Sequence, residues 1–135
     1  MTQQHNDILE VVKQWLHLAE RNLALAKQIM EDEDILTDSV CFNCQQSAEK
    51  YLKAFLTYHQ IDFPKTHSMV TLIDLCASKD NSFNDLSDEA DSLTDYAVEI
   101  RYPDDWYEPT LEEAKKAFAV AEMIKEFVLK KLPMK

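Results

Sequence analysis

Apolar residues along this chain recur at three- and four-residue steps, the period of a helix with one buried face. In Asn6 to Met30 the positions that recur in this way are Ile8, Val11, Val12, Trp15, Leu18, Ala19, Leu23, Ala26, Ile29 and Met30. Asn6 or Asp7 is the expected N-cap. After the acidic run EDEDILTD, Thr37 or Asp38 caps a second helix that runs to about His59. Its apolar face is Val40, Cys41, Cys44, Ala48, Tyr51, Leu52, Phe55 and Leu56, and Pro64 prevents its continuation. A shorter helix opens at Thr66 with Met69, Leu72, Ile73 and Cys76 inward. A fourth carries Ala90, Leu93, Ala97 and Ile100 after the turn cluster SKDNSFND. In the last, TLEE forms a capping box from Thr110 to Glu113. That helix buries Leu111, Ala114, Phe118, Ala121, Ile124 and Val128 and ends near Leu132, before Pro133. No period-two alternation appears. The pattern predicts an all-α, antiparallel up-down bundle of four main helices plus a short one.

Composition narrows what such a bundle does. The 135 residues suit one domain, and 46% hydrophobic content suffices for a packed core. There is no glycine, which removes the phosphate-cradling loops of the Walker and Rossmann kinds. The net charge of -11 repels nucleic acid at long range, so a polyanion site would need a local basic pocket on an acidic body. No apolar run approaches the roughly 18–20 residues that cross a membrane, and Met1 to Glu10 lacks the apolar region of a signal peptide. The expected location is the cytoplasm. Cys41, Cys44 and Cys76 fit that compartment, being odd in number and set within apolar helical patterns. CFNC brings only two thiols to one helix face, short of the four ligands of a structural zinc site, so no metal and no cofactor is expected.

The stretch CFNCQQSAEKYLKAFL holds the chemistry of the second helix. At 100° per residue, Gln45 falls about 60° from Ala48, at the edge of the buried arc. An unpaired buried amide costs roughly 1–3 kcal/mol, so Gln45 needs a partner, either in a neighbouring helix or in a pocket that it orients.

Four ordered stretches, CFNCQQSAEKYLKAFL, PKTHSMVTLIDL, YAVEIRYPDD and PTLEEAKKAF, closely resemble the HEPN domain (higher eukaryote and prokaryote nucleotide-binding). The resemblance covers about Glu10 to Leu132, so that 1–135 is read as a single HEPN domain. It implies an antiparallel helical bundle that forms a homodimer. It also implies a protein partner, a minimal nucleotidyltransferase, in a toxin–antitoxin or related pair, and a bound nucleotide.

Ribonuclease members of the family carry an arginine, four to six residues, then a histidine, and cleave RNA without metal. In this chain Arg101 stands at the arginine position, but Trp106, Tyr107 and Glu108 occupy the places allowed to the histidine. The four histidines, His5, His17, His59 and His67, lie elsewhere. A tyrosine, ordinarily titrating near 10, is a poor base at neutral pH. No catalytic residue is therefore assigned. The alternative is a metal-independent ribonuclease using substitute residues. The segment EIRYPDDWYEP has two readings: a structural loop, in which Arg101 pairs with an acidic neighbour while Tyr102 and Trp106 lid the core, or an anion or nucleotide site, in which Arg101 offers a planar fork and Tyr102 or Trp106 a stacking surface. His67 and Lys65 of PKTH would form the far wall, and Gln45 would lie at its edge.

Overall fold

The computed structural model describes residues 2–97, 103–104 and 106–133. All regular structure among them is helical: α1 (Gln3–Met30), α2 (Thr37–Tyr58), α3 (Met69–Ala77), α4 (Ser87–Asp91) and α5 (Leu111–Lys131). Two 3-10 segments, Asn81–Leu86 and Thr94–Ala97, flank α4; the first falls on the predicted turn cluster, and the described part of the fourth predicted helix is broken into α4 and the second segment. Ala90 and Leu93 are buried there as expected, while Ile100 lies outside the described residues.

α2 is the centre of the antiparallel bundle. Its predicted face is buried in full, and α1 and α5 pack on either side of it. Cys41, Cys44 and Cys76 are wholly enclosed free thiols. Burial pushes all three up to about 12, so they behave as small hydrophobes. One polar joint ties the three long helices: Glu20 accepts from Tyr51 Oη at 2.7 Å and pairs with Lys125 at 2.8 Å.

Several ends differ from the sequence reading. α1 starts one turn early because Thr2, not Asn6 or Asp7, accepts from the His5 amide. Thr37 is the first residue of α2 rather than its cap, and its hydroxyl donates to the Pro109 carbonyl at 2.6 Å. That bond fastens the start of α2 to the start of α5. α3 begins at Met69, because Ser68 rather than Thr66 provides the cap. The capping box of α5 is complete, with both Thr110–Glu113 bonds at 3.1 Å. Three predicted core positions face solvent instead: Val11, Leu18 and Leu111.

α2 ends without glycine. Gln60 takes a left-handed φ of 56°, the amide of Ile61 reaches the Leu56 carbonyl at 2.9 Å, and the Gln60 amide reaches Thr57. This is a Schellman closure built on a residue with a Cβ.

Candidate functional site

Gln45, Glu49 and Lys53 follow one another at four-residue steps, so they form a single polar row along the buried side of α2. The row meets the connection between α2 and α3, where Pro64 keeps the chain from helix and Thr66 Oγ1 accepts from the Ser68 amide. His67 is thereby laid over Glu49. The Glu49 carboxylate, only 3% exposed, receives three donors. Gln45 Nε2 lies at 3.0 Å from Oε1, His67 Nδ1 at 2.8 Å from Oε1, and Lys53 Nζ at 2.9 Å from Oε2. Burial pushes the Glu49 carboxyl upward, but the hydrogen bonds of Gln45, His67 and Lys53 outweigh it and hold the carboxyl below its ordinary range. Lys53 is itself walled by aromatic rings, 5.6 Å from the Trp15 centroid and 5.5 Å from that of Phe63.

His67 is the open end of this cluster. Pairing with a carboxylate places its proton on Nδ1 and leaves Nε2 toward solvent, on a side chain 63% exposed. Gln45 is fully enclosed and also contacts Gln46 and the Met69 sulfur, so it supports Glu49 and touches no open pocket. Lys65 is exposed and forms no hydrogen bond or ion pair among the described residues. Arg101 and Tyr102 lie outside the described residues. Of the five predicted site residues, the structure joins Gln45 and His67, and does so through Glu49.

A second polar centre adjoins the first. The Met69 amide donates to Thr94 Oγ1 at 3.2 Å, and Thr94 lines a cleft of about 560 Å³. Asp38, Ser92, Asp95, Tyr96, Tyr107, Pro109 and Glu113 also line it. Both phenols address Glu113: Tyr107 donates to Oε1, and Tyr96 to Oε2 at 3.3 Å. The bond to Glu113 raises the Tyr107 pKa further. The same bond, with the Thr110 amide, lowers Glu113. The described lining thus holds three carboxylates and no cation. Chemically the described wall suits a basic or neutral ligand.

The reading from sequence missed Glu49 and Lys53 as partners of Gln45, although their four-residue spacing was visible. It also missed Tyr96 and Glu113, which meet Tyr107 only through the fold. Among the described residues, no group of three or more His, Cys, Asp or Glu side chains is placed to hold a metal ion. No described helix is long and apolar enough to cross a membrane.

Comparison with known proteins agrees with this architecture. The sequence model of the HEPN domain matches residues 12–132. Among solved structures, the chain is similar to the crystal structure of TT1696 from Thermus thermophilus, at 30% identity and a TM-score of 0.69. That alignment covers 90% of this chain and 98% of the Thermus protein. No curated protein matches the chain.

Proposed function

Because the chain belongs to the HEPN domain family, we propose that it is a non-catalytic binding module. It acts as a homodimer and pairs with a minimal nucleotidyltransferase in a toxin–antitoxin-like system. The observation that carries this reading is the state of Tyr107. It stands at a spacing where ribonuclease members hold their histidine, and its hydroxyl is committed as a donor to Glu113. A phenol bound in this way gives up its proton even less readily than a free one, so it supplies neither acid nor base near neutrality. The carboxylates of the neighbouring cleft further disfavour an RNA backbone and favour a protein partner with basic side chains. A nucleotide site would rest on Arg101 and Tyr102, with Lys65 and His67 opposite.

One observation favours the alternative, a ribonuclease with a substitute base. His67 is held at Nδ1 by Glu49 with Nε2 open, the arrangement of a general base. Two measurements decide between them. Sequencing of the flanking genes is expected to find a minimal nucleotidyltransferase, whose co-expression with this chain yields a complex on size exclusion; separate elution overturns the pairing. Incubation with RNA in chelator is expected to leave it intact. Cleavage that vanishes in Arg101→Ala and in His67→Ala establishes the ribonuclease instead.

A further inference from the structure

α1 carries an apolar stripe that the bundle leaves in solvent. Val11, Leu18 and Leu25 are 42, 44 and 45% exposed, and they recur at intervals of seven. At 3.6 residues per turn such positions stay close to one line, here about 21 Å long. Beside Leu18 and Leu25 a groove of about 450 Å³ opens between α1 and α2, and two cations, Arg21 and Lys50, face into it. Arg21 has no carboxylate partner among the described residues, and Lys50 lies in the field of Glu49 without an ion pair to it. Lys50 Nζ donates to the amide oxygen of Asn22 at 2.6 Å, and Arg21 forms no hydrogen bond or ion pair with any described residue. In a chain with 25 acidic and 14 basic residues, the uncommitted Arg21 beside exposed leucines marks a surface that lacks its counterpart.

The counterpart is present on the same molecule. Directly after α1, the exposed Glu31, Asp32, Glu33 and Asp34 lead into Ile35 and Leu36, and Leu36 is 56% exposed. This segment is acidic and apolar where the groove is basic and apolar. We infer that the α1–α2 groove receives the Glu31–Leu36 segment of a second copy, in a twofold contact that sets the two α1 helices antiparallel. A twofold axis near Leu25 brings Leu18 and Arg21 of one copy against the chain that follows Met30 in the other. One patch then supplies both halves of the contact, as an isologous interface requires. Two bodies of net charge -11 repel at a distance, so they approach closely only where opposite signs meet locally. This inference rests on the homodimer proposed above and names its surface.

Light scattering and sedimentation of the full chain, with thermal melts to verify folding, test it. Wild type is expected to dimerise at micromolar concentration. Leu25→Glu and Arg21→Glu, both at exposed positions, are expected to weaken the dimer at least roughly tenfold with little change in melting. Adding Glu31→Lys and Asp32→Lys to Arg21→Glu is expected to restore it. A dimer untouched by Leu25→Glu and Arg21→Glu overturns this surface and leaves the homodimer standing. A monomeric wild type overturns both. Weakening that the charge swap does not repair overturns the Glu31–Leu36 segment as occupant. So does a groove whose variants instead lose capture of the nucleotidyltransferase.

Discussion

Replacing Glu49 with leucine removes the acceptor of three donors at once, and the cost follows from where each donor sits. Gln45 is fully enclosed and would keep only the Met69 sulfur at 3.7 Å as acceptor for its amide nitrogen. The Lys53 ammonium, on a side chain only 12% exposed, would remain between two aromatic rings without its counter-ion. Breaking one side of a buried pair costs roughly 3–5 kcal/mol. Lys53 retains an edge to solvent, which favours the lower figure, and the exposed His67 adds at most about 1 kcal/mol. Glu49→Leu is therefore expected to lose about 3 kcal/mol in urea denaturation, or about 10 °C in melting temperature for a domain of this size. Glu49→Gln keeps the shape and one acceptor, and should lose less. The pH dependence has a definite sign. In the folded state the Glu49 carboxyl lies below its ordinary 4.5, so its stabilisation is complete above 4.5 and fades as pH falls through the lower folded value. The stability gap between wild type and Glu49→Gln should narrow across that acid window. A loss under about 1 kcal/mol for Glu49→Leu, or a gap unchanged down to about pH 3, refutes the reasoning.

Three further outcomes are expected. Thr37→Val removes the bond to the Pro109 carbonyl that fastens α2 to α5, and should cost about 1–2 kcal/mol in chemical denaturation; an unchanged midpoint counts against that tie. The native protein should resist a thiol reagent at neutral pH, because Cys41, Cys44 and Cys76 are wholly buried with pKa values pushed up to about 12; fast stoichiometric labelling of folded protein contradicts this. ATP or GTP should raise the melting temperature of wild type but not of Arg101→Ala, and Arg101→Ala alone should melt nearly as wild type does. A large drop in Arg101→Ala without any nucleotide shift in wild type ends the nucleotide site.

Periodicity exposed the helices with the widest buried faces. Every apolar position assigned to α2 is buried, because a central helix leaves little choice of face. Where a helix is flanking, the same rule overreached. Val11 and Leu18 fit the three-four pattern, yet they line the flank of α1 rather than its core side. Caps were less legible, since Thr2, Thr37, Thr66 and Ser68 are all competent and local sequence does not say which hydroxyl has a better acceptor elsewhere. Thr37 found Pro109, 72 residues away. The site shows the same limit. Gln45 and His67 could be picked out as polar residues in need of partners, but their meeting at Glu49 depends on how the α2–α3 connection folds back.

The absence of glycine bears on the denatured chain as much as on the native one. A backbone in which every residue has a Cβ samples fewer conformations when unfolded, so less entropy is lost on ordering it. Gln60 is where that economy is partly returned, since its left-handed backbone costs roughly 1–2 kcal/mol relative to glycine. Gln60→Gly would relieve the strain while loosening the unfolded ensemble by roughly 0.4–1 kcal/mol. The net gain is small. At the end of α2, a side chain that strains the fold is kept at little thermodynamic disadvantage because it also stiffens the state the fold competes with.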